Sequence, residues 1–404
     1  MAGAARPPAG RRAEGRGAGL VAKIELSAVT KVFGPRPESV LPLVAQGMGK
    51  AEVLEKTGHT VGLRDISLHV EEGETFVVMG LSGSGKSTLL RLLNRLVEPT
   101  AGSVRVDGRD MVELGRAELV HFRRHAASMV FQGFALLPHR TVLANVAFGL
   151  EARGMKRRAR QAEARAWIEA VGLTGYEGSL PGELSGGMRQ RVGLARALAT
   201  GAGILLMDEP FAALDPLIRR DMRDQLAALQ KRLGKTIVFI THDLDEALRL
   251  GDRVAILNDG EVVQVGTPTD IVLGPADGFV ADFVSGVNRA RVLTAAAVAA
   301  EAEAEATVIP VSSPSEAALE SMRRDGASCA YAVDAEGKFA GVVTRKDVAH
   351  LRIVPTLKPD VALEDLLAVV AGAEWPVPVV NDAGVLVGTI DGEAILAALA
   401  GRGE

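Results

Sequence analysis

One short stretch constrains this chain more than any other. Thr75-Phe-Val-Val-Met is an apolar strand candidate that runs directly into Gly80-Leu-Ser-Gly-Ser-Gly-Lys-Ser-Thr88, matching G-x-x-x-x-G-K-[ST] over residues 80–87. Gly80, Gly83 and Gly85 let the backbone curl so that successive N–H groups wrap an anion. The apolar helix beginning Leu89-Leu90 then offers its positive dipole end to the same phosphates. Ser82, Ser84 and Thr88 complete the candidate loop, Lys86 supplies a point charge at the β/γ-phosphates, and the Ser87 hydroxyl suits Mg²⁺. With this chain's Gly, Lys and Ser/Thr usage the pattern is expected by chance only about 0.01 times. A strand–loop–helix binding a nucleotide triphosphate such as ATP is therefore the first expectation.

Two later strand candidates end in polar groups. Ile204-Leu-Leu-Met leads into Asp208 and Glu209, and Thr236-Ile-Val-Phe-Ile leads to His242. Buried parallel strands deliver such groups at their carboxyl ends, where ligands bind in open α/β sheets. Asp208 is expected to hold Mg²⁺ through water, Glu209 to polarise the attacking water, and His242 to meet the γ-phosphate. Short β-rich runs alternate with helical patterns over residues 23–285, the signature of a parallel sheet flanked by helices.

The remainder divides by composition. Residues 1–22, rich in Ala, Gly, Pro and Arg without an apolar core, read as a disordered leader and not a secretory signal. Residues 286–306 end in an Ala/Glu repeat that predicts a semi-rigid helical linker. Residues 307–404 repeat themselves: 316–333 align on 363–380 without a gap, an offset of 47. Each unit reads as helix, strand, Gly turn, strand and closing helix, and is too small to be stable alone, so the two should pair. The single cysteine, Cys329, excludes an internal disulfide framework and reads as a core residue in a reducing compartment. The chain carries 46 basic against 50 acidic residues, net −4, with nine basic and seventeen acidic residues (net −8) after position 289. A strongly basic nucleic-acid binder is not expected.

Between the two acid-bearing regions stands Leu184-Ser185-Gly186-Gly187-Met188-Arg189-Gln190-Arg191, a second Ser-Gly-Gly turn opening a helix and thus a second anion site. A single phosphate needs no second loop, so the residues alone leave open whether it serves another subunit. The run resembles the signature motif of ATP-binding-cassette (ABC) ATPases. By that resemblance Gln132 is the Q-loop and a Mg²⁺ contact, Ala213-Leu214-Asp215 the D-loop, His242 the switch histidine and Phe33 the aromatic stacked on adenine. The fold implied is a P-loop NTPase of the ABC type, a RecA-like core plus helical subdomain. Two copies would bind two ATP molecules head to tail, with Lys86, Ser87, Gln132, Asp208, Glu209 and His242 of one facing Ser185 and Gly187 of the other.

Residues 34–60, with amphipathic helical spacing, depart from ordinary members. This insert, the wording around Gly80 and Gly133-Phe-Ala-Leu-Leu-Pro-His-Arg-Thr-Val resemble glycine betaine/proline importer ATPases, which also carry a tandem CBS domain of α+β fold. The resemblance implies an ATPase driving osmoprotectant import from the cytoplasmic face of the cell membrane, with an integral membrane permease and a separate solute-binding protein. The first unit keeps Thr344 and Asp347 at the positions that adenosyl-binding CBS units use on ribose; the second has lost both. An adenosyl site, a structural dimerisation pair and a charge-based response to ionic strength stay open for this section. The competing functions are an ABC ATPase of another importer, for amino acids or polyamines, a non-transport ABC ATPase, and a regulatory module with a vestigial ATPase.

Overall fold

A computed structural model describes residues 22–212, 214–301 and 306–400. Strand Thr75–Gly80 is buried along its whole length, with Phe76 and Val78 in one core and Val77 and Met79 in another. Ile204–Asp208 and Thr236–Ile240 split in the same alternation, because strands covered on both faces need apolar residues at every position. These three belong to a six-stranded sheet in the order Glu261–Gly266, Arg253–Asn258, Thr75–Gly80, Thr236–Ile240, Ile204–Asp208, Ala127–Val130. All pair in parallel except the edge strand Glu261–Gly266. Parallelism brings Gly80, Asp208 and Ile240 to the same, carboxyl end of the strands.

Helix Lys86–Leu93 and a four-stranded antiparallel sheet (Thr60–Val70, Ile24–Phe33, Ala101–Val106, Arg109–Asp110) contribute to the core on one face. Helices Pro216–Leu233 and Leu244–Leu250 contribute to the core on the other. Helices Val142–Val146, Phe148–Ala152, Arg157–Ala170 and Gly186–Ala199 form a subdomain around Val146, Leu150, Ile168 and Val192. The 34–60 insert is helical but broken, a 3-10 turn at Pro37–Val40 followed by helices Leu41–Ala45 and Lys50–Thr57. Its Val40, Val44 and Val53 pack on Val32 and Val61.

The carboxyl-terminal section is a pair of units, each with its own sheet: Val308–Pro310, Cys329–Val333, Phe339–Thr344 and Asp347–Arg352 in the first, Val377–Val380 and Leu386–Ile390 in the second. Cys329 is buried, as expected, and burial raises its thiol pKa. Two expectations are corrected. The first unit closes with strand Asp347–Arg352 where a helix was expected, because the edge of Phe339–Thr344 accepts it and Pro355 blocks helical continuation through Val354. The second unit does close with a helix, Gly392–Ala400.

The segment expected as a helical spacer is instead two single-turn helices, Arg289–Val292 and Ala295–Val298, and a short strand, Ala300–Glu301, added to Leu386–Ile390. Leu293 and Ala295 are fully buried with Leu363, Leu366 and Ile390, so tertiary burial overrides the helical propensity of the alanines. Residues 302–305 of that segment and 1–21 of the leader lie outside the described residues.

Candidate functional site

A cavity of about 830 Å³ opens where the carboxyl ends of the parallel strands meet the phosphate loop. Gly80, Ser82, Gly83, Gly85, Lys86, Ser87, Thr88, Gln132, Glu209 and His242 line it, with Phe33 at its wall. Gly80 and Gly85 have φ of 145° and 102°, outside the range of ordinary L-residues. A Cβ on Gly80 would strike the Leu257 carbonyl, and one on Gly85 would sit 2.6 Å from the Gly62 carbonyl. The glycines therefore serve backbone packing as well as the ligand.

Lys86 Nζ donates to the carbonyls of Gly80 (2.8 Å) and Leu81 (2.9 Å), which anchors the ammonium across the loop. Burial lowers its pKa, opposed by the carboxylates of Glu209 and Asp208. Ser87 Oγ donates to Asp208 Oδ1 at 2.9 Å, joining the loop through two hard oxygens to the strand two places away in the sheet. Ser84 Oγ is buried, has no hydrogen-bond partner among the described residues and does not line the cavity.

Glu209 is the hub of a polar cluster on the cavity wall. Its Oε2 accepts from Gln132 Nε2 at 3.1 Å and lies 3.2 Å from His242 Nδ1. Its φ of 43° lies in the left-handed region, a strain of about 1–3 kcal/mol for a non-glycine residue. A backbone bond from Glu209 N–H to the Ile240 carbonyl (3.0 Å) holds that conformation and ties it to the strand bearing His242.

The expected residues do not all gather here. Ser185, Gly186 and Gly187 stand outside the cavity at the start of helix Gly186–Ala199, whose second residue, Gly187, is buried. Ser185 caps that helix by accepting from Met188 N–H at 3.3 Å. Asp215 likewise caps helix Pro216–Leu233, accepting from Ile218 N–H at 3.0 Å, and does not line the cavity; Ala213 lies outside the described residues. Sequence reading missed Thr60, Val61, Gly62, Leu81 and Phe283, all on the cavity wall. At Gly62 a Cβ would come 2.8 Å from the Phe33 ring, a constraint that only the fold reveals. Phe283 carried no signal, being about 200 residues from the loop in sequence.

In the carboxyl-terminal section Thr344 and Asp347 engage each other. Thr344 is buried, its Oγ1 accepts from Asp347 N–H at 3.2 Å, and the Asp347 carboxylate pairs with His350 at 2.7 Å. Thr344 keeps its hydroxyl donor and Asp347 keeps further acceptor capacity beyond these contacts.

The family model for ABC transporters matches residues 63–212, and that for the CBS domain matches residues 303–354, the first of the two units. A glycine betaine transport ATP-binding protein of Bacillus subtilis, OpuAA, is 44% identical over 95% of this chain and 93% of its own. The glycine betaine/proline betaine transport ATP-binding protein ProV of Escherichia coli is 45% identical over 94% of this chain and 98% of its own. Among solved structures, the dimeric bacterial ABC transporter cassette MJ0796 superposes with a TM-score of 0.52 at 34% identity, over 61% of this chain and 98% of that one. With fold, phosphate loop and full-length similarity in agreement, the chain belongs to the ABC transporter ATP-binding subunits, in the glycine betaine transport branch.

Proposed function

We propose that this chain is the ATP-hydrolysing, energy-coupling subunit of an importer for glycine betaine/proline-type quaternary amines. The observation that carries the ATPase reading is the Gln132–Glu209–His242 cluster, in which side chains from two separate segments converge on one carboxylate oxygen of Glu209 beside the phosphate loop. Glu209 would orient and polarise the attacking water, His242 would meet the γ-phosphate, and Lys86 would neutralise the β/γ-phosphates. The donor set fits Mg²⁺: Ser87, Asp208 and Gln132 offer hard oxygens. Bound there, the ion would complete its shell with nucleotide and water oxygens and supply charge neutralisation.

Ser185–Gly187 and Asp215 stand apart from the cavity, which favours their use on the nucleotide of a second copy in a head-to-tail homodimer. No helix among the described residues is long and apolar enough to cross a membrane. With relatives named as transport ATP-binding proteins, this reading assigns the transport path to a separate permease and solute capture to a separate binding protein. The subunit would then sit at the cytoplasmic face of the cell membrane. The solute class rests on relatives matched through the carboxyl-terminal section. An Fe(3+) ions import ATP-binding protein of Brucella melitensis, 44% identical, matches only 58% of this chain. Reconstitution with the cognate permease and binding protein tests it: glycine betaine should stimulate ATP turnover, and stimulation only by an unrelated solute would overturn the class.

Phe33 is 40% exposed, enough to receive an adenine ring. Base–aromatic stacking is worth about 1–3 kcal/mol. Phe33→Ala is therefore expected to weaken ATP binding about tenfold in a fluorescent-nucleotide titration, and Gly62→Ala to act in the same direction by displacing the ring. Unchanged affinity in Phe33→Ala would remove the stacking role.

A further inference from the structure

The switch loop that carries His242 and the turn that ends in Asp215 are joined by one side chain, Arg219. Its Nη1 donates to Asp243 Oδ2 at 3.1 Å, on the residue after His242. Its Nη2 donates to the Leu214 carbonyl at 3.1 Å, on the residue before Asp215. The guanidinium also lies against Glu246, whose Oε1 is 3.9 Å from Arg219 Nε. Glu246 is buried and accepts from Thr241 Oγ1 at 2.7 Å, on the residue before His242. Thr241 Oγ1 in turn accepts from Asp243 N–H at 2.9 Å, and Asp243 Oδ1 accepts from Glu246 N–H at 3.1 Å. The residues on both sides of His242 are thus fixed to one network, and Arg219 is the member that extends it to the turn.

None of these groups lines the nucleotide cavity. We infer that Arg219 is a positioning residue for ATP hydrolysis, holding the His242 loop and the Asp215 turn in register by bridging Asp243 to the Leu214 carbonyl. This inference rests on the ATPase reading above. The bridge requires a planar fork with donors splayed toward a side-chain carboxylate and a backbone carbonyl on two different segments, which arginine has and lysine lacks. In the ATPase reading, ground-state nucleotide contacts would come from the phosphate loop and Phe33, whereas Arg219 contacts Asp243, Leu214 and Glu246. Its loss should therefore fall on the catalytic step and leave substrate affinity alone.

The test uses full-length chain in the assembled transporter, with Mg-ATP titrations of turnover. Arg219→Lys should lower kcat at least tenfold and leave KM for ATP within about twofold, with an unfolding midpoint close to that of the parent. Arg219→Lys added to a His242→Ala background should cost no further activity, because it acts through that histidine. Parental kcat in Arg219→Lys overturns the inference, and so does an additive loss in the double variant. A joint fall in kcat and unfolding midpoint with raised KM marks a merely structural role and overturns it too. Absence of turnover in the parent transporter would instead sink the ATPase reading itself.

Discussion

Glu209→Gln is expected to lower ATP turnover by about 10²–10⁴-fold, the range for a group that moves or polarises a proton in the transition state. The substitution is nearly isosteric. The amide oxygen can still accept from Gln132, and the backbone bond from Glu209 N–H to Ile240 is untouched, so the local conformation should persist. What disappears is a basic carboxylate oxygen beside the position proposed for the γ-phosphate. Removing a negative charge next to Lys86 and an anionic ligand should not weaken nucleotide binding, since like charges there only repel. ATP would then accumulate unhydrolysed. If two nucleotides hold two copies together, light scattering with Mg-ATP should report a stable dimer of the variant where the parent dissociates as it turns over. Near-parental turnover would remove the role assigned to Glu209. A variant that stays monomeric with Mg-ATP and its permease present would remove the sandwich.

The parts of this site that could be read from sequence are those whose chemistry is contiguous. The phosphate loop, the strand ending in Asp208 and Glu209, and the strand ending at Ile240 before His242 each place their polar groups within a few residues of a buried apolar run. The antiparallel wall of the cavity was less legible. Thr60, Val61 and Gly62 open a strand after the insert, and only the pairing of Phe33 with Thr60 brings them to the ligand side. Phe283 arrives through the packing of helix Gly278–Val284, which no local pattern records. The left-handed backbone of Glu209 is equally silent in the residue string, because it is imposed by the neighbouring strand. The same lesson explains the carboxyl-terminal errors. Residues 347–352 adopt the state their neighbouring strand edge offers, and the alanine-rich segment before residue 300 yields its helical preference to a core it helps to fill.

That core sets the second large effect. Ending the chain after residue 306 is expected to destabilise what remains, not simply to remove an independent module. Leu248 and Val272 of the ATP-binding domain, with Ala290, Leu293 and Ala295, share one apolar cluster with Leu363, Leu366, Val377, Ile390 and Ile395. The junction is also hydrogen-bonded: Leu363 N–H donates to the Leu293 carbonyl at 2.9 Å and Ala295 N–H to the Val361 carbonyl at 2.8 Å. Re-exposing Leu248, Val272 and Leu293, at about 1.5–3 kcal/mol each when fully buried, comes to roughly 5 kcal/mol or more. Domain stabilities are only about 5–15 kcal/mol, so a lowered unfolding midpoint and aggregation should follow. Leu293→Asp in the full chain should reproduce part of the loss by placing a charge in that core. Parental midpoints for both would show that the cluster contributes little. The consequence reaches the question of ionic strength, because a truncated chain would change its salt profile through instability alone. The net −8 after position 289 is better tested in the intact chain by replacing the exposed Glu316, Glu320, Glu336 and Glu374 with Gln. If screened charge sets activity, those four changes should move the salt dependence of turnover while the unfolding midpoint stays fixed, since exposed charges contribute little to stability. A salt profile identical to the parent's would remove the electrostatic reading and leave the paired units a packing role.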